Sequence, residues 1–179
     1  MTTARSKRLV WLLATGISLP LWAEQVCDTG VYPLSAPTER FKDNGDGTVT
    51  DRQSNLMWMR CAAGQSWSGE TCTGSPDLHS WQSARQVAEA VNASGSHFFK
   101  DWRLPKLPEL ASIIERQCSD PRVNLEVFPG TPAGIFWTAT ARPNTDEKDK
   151  IYGLSFGIGG VTHIPKGEQH MLRLVRTGP

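Results

Sequence analysis

The chain has 179 residues, with 19 Lys and Arg against 18 Asp and Glu, and 39% of its residues are hydrophobic. That length suits one domain with a core of its own. Near charge balance provides no global field for drawing in nucleic acid, so no nucleic-acid partner is expected. At the N-terminus, Arg5, Lys7 and Arg8 precede an apolar run from Leu9 to Leu21, and Ala23 follows as a small residue. Charge, apolar stretch and small residue in that order read as a secretory signal peptide over residues 1–23. The run is shorter than the roughly 20 apolar residues of a spanning helix, and Pro20 closes it. An uncleaved N-terminal anchor is the less favoured reading. No other segment is apolar enough to span a bilayer, so no stable membrane insertion is expected after cleavage. Three of the basic residues and none of the acidic ones lie in residues 1–23, which leaves the remainder at a formal −2. The chain is expected to be exported, to the periplasm, the cell surface or the medium.

Residues 24–39, with Pro33 and Pro37, read as an irregular N-terminal arm leading into a domain over 40–179. Asn44-Gly45 and Asp46-Gly47 are turn dipeptides. They precede a short strand at Thr48–Thr50, a polar turn from Asp51 to Asn55, and a second strand at Leu56–Met59. This is a hairpin or small meander. A Gly/Ser-rich loop follows. Ser80 then caps a helix whose Trp81, Ala84, Val87, Ala88 and Val91 form one apolar stripe, and Gly95 ends it. Asp101 to Pro105 is extended. A second helix is predicted over Pro108–Gln117, with Leu110, Ile113 and Ile114 buried. Beyond Phe128 the pattern is β. Strands are expected at Phe136–Thr140 and Ile151–Ile158, with the charged loop from Arg142 to Lys150 between them. Gly159-Gly160 turns the chain back into Val161–Ile164. A closing strand over Met171–Arg176 carries its arginines on one face. The order predicts an α+β domain: a small β-meander, two central helices, then antiparallel strands.

Cys27, Cys61, Cys72 and Cys118 are an even set behind a signal peptide, which reads as two disulfides in an oxidising compartment. Four cysteines allow three pairings. The pliable loop AAGQSWSGET between Cys61 and Cys72 favours that pair, which leaves Cys27–Cys118 to tie the arm down. No CxxC is present, and no histidine stands at zinc-ligand spacing, so no metal and no cofactor are expected. Asp43-Asn44-Gly45-Asp46-Gly47 invites a calcium reading. Setting Gly47 at the EF-hand glycine puts Lys42 at the first ligand and Gln53 at the last, where carboxylates belong. A turn held by its own Asx hydrogen bonds is the expected outcome.

No GxSxG, HExxH or phosphate loop appears, and His79, His97, His163 and His170 are scattered. Trp58, Trp81, Trp102 and Trp137 lie in apolar periodicities and are assigned to the core. Trp67 lies in the predicted disulfide loop, where it either stacks on a sugar or folds back over the bridge. Lys100, Arg103 and Lys106 form one basic cluster, Arg173 and Arg176 another, with Asp101 and Glu109 interleaved. A solvated or salt-bridged face is the expected use of both.

Several spaced motifs carry a resemblance over about residues 40–176. They are Phe41 to Asp51 (FKDNGDGTVTD), Leu56-Met57-Trp58, Trp81 with Ala84, and Asp101-Trp102-Arg103-Leu104-Pro105 with Glu109-Leu110. Asn124, Phe128-Pro129, Phe136-Trp137-Thr138 and Arg173-Leu174-Val175-Arg176 complete the set. The chain thereby resembles the C-terminal domain family of the Legionella collagen-like protein. The resemblance implies a C-type lectin-like fold variant and an exported recognition or adhesion domain, and the missing catalytic motifs make a non-enzymatic one the expectation. It implies a glycan or polyanionic polysaccharide, including sulfated polysaccharide, as one ligand class. This chain shows no collagen-like Gly-x-x array ahead of the domain, so the trimer such a stalk enforces does not follow from the resemblance and the oligomeric state stays open. Arg142-Pro143-Asn144 parallels the Glu-Pro-Asn of calcium-dependent lectins, but an arginine stands where the ligating carboxylate belongs.

Two alternatives remain: a structural subunit of a surface appendage or envelope complex with a protein partner, and a formylglycine-generating-type oxidase. The oxidase needs reactive cysteines near the end of its domain, whereas the last cysteine here is Cys118. The two polar loops are the expected recognition surface, with Trp67, Arg142, Asn144 and Lys148 contributing without calcium.

Overall fold

A computed structural model describes residues 25–28, 30, 33–95, 98–141 and 148–178. The expected signal peptide lies outside them. Over the described residues the fold is a mixed α+β structure, mostly strands, with two α-helices and two disulfides. The meander is β2 (Phe41–Asp43), β3 (Thr48–Asp51) and β4 (Leu56–Met59). Its first turn forms as the sequence predicts. Asp43 Oδ1 accepts the Gly45 N–H at 2.8 Å, and Asp46 Oδ1 accepts the Thr48 N–H at 3.0 Å. Asp43 Oδ2 is held by Arg60 at 2.8 Å, so the carboxylates of this turn are committed to internal bonds. β11 (Val175–Thr177) adds to β4 and gives the order β11-β4-β3-β2.

The second sheet is β8 (Ile135–Ala141), β9 (Lys150–Ser155) and β10 (Val161–Pro165), in the order β10-β9-β8. The expected strand to Ile158 stops at Ser155. Gly159 N–H bonds Ser155 O at 2.8 Å, closing the corner before β10. The closing strand is also shorter than predicted. Residues 171–174 bridge the two sheets instead. Met171 exchanges bonds with Ile135 and Trp137 of β8, while Leu172 and Leu174 accept from Ala63 and Met59. Two-residue pairs complete the strands: β1 (Val26–Cys27) with β7 (Cys118–Ser119), and β5 (Ser66–Trp67) with β6 (Cys72–Thr73). The arm, read as irregular from the sequence, carries regular structure in β1 and in a 3-10 turn at Thr38–Arg40. Both expected disulfides form, Cys27–Cys118 across β1–β7 and Cys61–Cys72 at the β5–β6 hairpin.

Helix α1 spans Trp81–Ser94. Ser80 Oγ caps it by accepting from Ser83 N, and Gly95 at φ 65° ends it. Ala84 and Ala88 are buried, but Trp81, Val87 and Val91 are only half-buried. Helix α2 is a single short turn, Leu107–Ala111, where the sequence predicts Pro108–Gln117. Glu115 is the physical reason. Its buried carboxylate accepts from Ala36 N at 2.8 Å, Gln117 N at 3.0 Å and Ser35 N at 3.2 Å. Those bonds pull the chain out of helical geometry and onto the arm. Two apolar clusters form the core. One is built on Trp58, Phe128, Phe136 and Phe156, the other on Trp102, Leu104, Trp137 and Ile164.

Candidate functional site

The closing arginines do not form a surface patch. Arg173 is fully buried over Phe128, donating to Met59 O at 2.8 Å, to Arg60 O, and to Thr131 Oγ1 at 2.6 Å. Burial pulls its guanidinium down to about 9, so it stays charged at neutral pH. Arg176 packs into the other cluster, 3.8 Å from the Phe99 ring centroid, and binds Asp101 at 2.7 Å. The expectation of a shared face fails because the segment crosses between sheets before β11 begins.

Trp67 folds inward, onto the meander turn. Its ring lies against Gly47, where an added Cβ would stand 2.9 Å from Trp67 Cγ. Arg60 lies 4.3 Å from the ring centroid, anchored by Val127 O, Glu126 O and Asp43. Trp67 borders a groove of about 480 Å3 with Met59, Val87, Val91 and Leu174. Arg142 and Asn144 lie outside the described residues. Lys148 is exposed, and its carbonyl accepts from Lys166 Nζ at 2.8 Å. That bond places Lys148 beside Trp81, since Lys166 Nζ lies 5.2 Å from the Trp81 ring centroid.

Trp81 is the residue that the apolar stripe conceals. It opens α1 with its indole N–H given to Thr138 O at 3.0 Å, which fixes the ring at the surface. Arg85, one turn along, lies 5.2 Å from the same centroid. Facing them is the extended Asp101–Pro105 segment, held along α1 by Asn92. The Asn92 side chain accepts from Trp102 N at 2.8 Å and donates to Trp102 O at 2.9 Å. Between helix and segment runs a groove of about 430 Å3, lined by Trp81, Arg85, Glu89, Asn92, Arg103 and Lys106 among others. Arg103 forks onto Glu109 with two bonds of 2.8 Å. Burial opposes charge on Glu109, but Arg103 and the Lys106 N–H outweigh it and hold the carboxyl below its usual range. The Trp81 ring is thus an aromatic surface with two cations, Arg85 and Lys166, packed over it.

The cysteines offer no nucleophile, since all four are bridged. His79 Nδ1 meets Ser83 Oγ at 3.1 Å, while its Nε2 is buried.

The family model of the Lcl C-terminal domain matches residues 47–176. The chain belongs to that family. No relative among curated proteins matches it. The Lcl C-terminal domain here runs from Gly47, at the end of the meander turn, to Arg176 in β11, and every residue named in the Trp81 groove lies within it. Cys27 lies outside the match, so its disulfide fastens the arm to Cys118 of the Lcl C-terminal domain. Two disulfides accord with an exported protein, and no described helix is long and apolar enough to cross a membrane.

Proposed function

We propose that this Lcl C-terminal domain is a non-enzymatic recognition module acting outside the cytoplasm. Its ligand is an acidic polysaccharide, sulfated forms included, bound in the Trp81 groove on a C-type lectin-like variant fold. The observation that carries this reading is the fixed, half-buried Trp81 ring with Arg85 and Lys166 at 5.2 Å and Arg103 and Lys106 lining the same groove. A pyranose ring offers an apolar face to the indole, and a sulfate or carboxylate matches the Arg85 guanidinium, since Arg103 is already paired with Glu109. Glu89 beside the groove disfavours a ligand of uniform charge density and suits one whose anionic groups are spaced. The lectin-like reading is supported by chain order. A helix opened by Trp81 and Ala84 is followed by Leu104-Pro105, then by a second helix bearing Glu109, then by strands.

The test is titration of the oxidised domain with heparin, chemically desulfated heparin and a neutral glucan, with and without calcium. Heparin is expected to bind, more weakly as salt rises, and calcium is expected to change nothing. Trp81→Ala is expected to cost about 2 kcal/mol, some 30-fold in Kd. Equal binding of the neutral glucan, or an unaffected Trp81→Ala, removes this reading.

A further inference from the structure

A second cleft, of about 780 Å3, lies between the arm, the end of α2 and the β9–β10 corner. It shares no lining residue with the Trp81 groove. Leu34, Ile114, Leu154 and Val161 make its apolar walls. Leu34 and Val161 are 53% and 54% exposed, and Ile158 at the adjoining corner is 80% exposed.

Arg116 and Arg122 also line this cleft. Arg40, Arg60, Arg103, Arg173 and Arg176 all spend their guanidiniums on carboxylates or carbonyls of the fold. Among the described residues, Arg116 and Arg122 do not, and neither does Arg85 on the Trp81 groove. The backbone N–H groups of Arg116 and Arg122 are used, by Ser35 Oγ and Phe156 O, but no hydrogen bond or ion pair reaches either guanidinium. Glu115, the buried carboxylate beside Arg116 in sequence, is already occupied by backbone N–H groups of the arm. Arg122 Nε is buried without a partner, which a fold normally avoids because a buried donor keeps its full desolvation penalty.

The corner is shaped around Arg122. Gly159 has φ +70°, and a Cβ there would stand 2.4 Å from Arg122 Cδ, so only glycine lets the corner lie along the arginine stem. Two unspent guanidiniums match a carboxylate or a phosphate, and the apolar walls match a hydrocarbon chain.

We propose that this cleft binds a single-chain anionic amphiphile, with its head group on Arg116 and Arg122 and its chain against Leu34, Ile114 and Val161. Calorimetric titration of the exported, oxidised protein tests this with monomeric dodecanoate and dodecyl phosphate, each below its micelle concentration. Dodecyltrimethylammonium and anionic phospholipid vesicles are the comparison arms. At least one of the two anionic probes is expected to bind, and their ranking tells a carboxylate source from a phosphate one. The Arg116→Gln/Arg122→Gln variant is expected to weaken binding by at least about tenfold. Arg116 is exposed, so Arg116→Gln alone, with an unchanged melting curve, is expected to weaken it several-fold even if the double variant folds poorly. Silence from both anionic probes, equal binding of the cationic one, or indifference to Arg116→Gln overturns the proposal. Binding to vesicles without binding of monomeric probes also overturns it, because the face is then a bilayer dock.

Discussion

The guanidinium carbon of Arg85 lies 5.2 Å from the centroid of the Trp81 ring, four residues earlier on the same helix. Arg85 is exposed, and its packing on the ring is worth under about 1 kcal/mol to the fold. Arg85→Ala is therefore expected to leave the melting temperature almost unchanged. The same variant is expected to weaken heparin binding several-fold and to flatten its salt dependence. Calorimetry with and without heparin at two ionic strengths checks both.

Trp67 behaves differently, because its ring is built into the meander turn. Trp67→Ala is expected to destabilise the domain by about 2–3 kcal/mol. Gly47→Ala is expected to cost about 1–3 kcal/mol, since φ is +84° and the added methyl meets the indole. Denaturant unfolding of both variants measures this. Full stability of Trp67→Ala, combined with lost glycan binding, would return Trp67 to the recognition surface.

Asp51 and Arg40 form a buried ion pair at the foot of the meander. Burial raises the Asp51 carboxyl, but Arg40, Ser54 and the Gln53 N–H outweigh it and hold it below its ordinary value. The resulting stability is present above the unfolded carboxylate pKa of about 4 and is lost as pH falls through the lowered folded value. Glu109 and Glu115 are lowered as well and act in the same direction. Melting temperature is expected to drop steeply below about pH 4. Asp51→Asn is expected to cost about 3 kcal/mol at neutral pH and to flatten that acid limb, because Arg40 is left without its charge partner.

The oxidised protein is expected to contain no free thiol, with tryptic mapping linking Cys27 to Cys118 and Cys61 to Cys72. Replacing Cys27 and Cys118 by serine removes a closure of separation 91, worth about 4–5 kcal/mol in the chain-entropy model. The closure of separation 11 at Cys61–Cys72 is worth about 3. Equilibrium unfolding of the two paired variants is expected to rank them in that order.

The elements that were legible in the sequence are those governed by near neighbours. Asn44-Gly45 and Asp46-Gly47 turn where their dipeptides say, and Ser80 and Gly95 mark the ends of α1. The family resemblance, carried by motifs such as Asp101 to Pro105, was legible too, and the family match bears it out. What was hidden depends on partners far along the chain. α2 is cut short by a carboxylate at 115 answering backbone at 35 and 36. Arg173 and Arg176 part company because residues 171–174 are held by β8 on one side and the Met59–Ala63 stretch on the other. The apolar stripe assigns Trp81 to the core, and only the groove beside Arg103 shows its open edge. The available signal was the Trp81–Arg85 spacing, which puts a cation on an indole one turn apart.

The register of Arg176 against Met57, 119 residues earlier, sets an order of assembly. A chain that emerges from its N-terminus delivers β2, β3 and β4 well before β11 arrives. Throughout that interval the outer edge of β4 is a bare ladder, open to pairing with a neighbouring chain. Residues 171–177 are what cover that edge and connect the two sheets. The last stretch of the domain to emerge is thus what ends its exposure to aggregation, and a chain stalled short of Met171 is left with that edge uncovered.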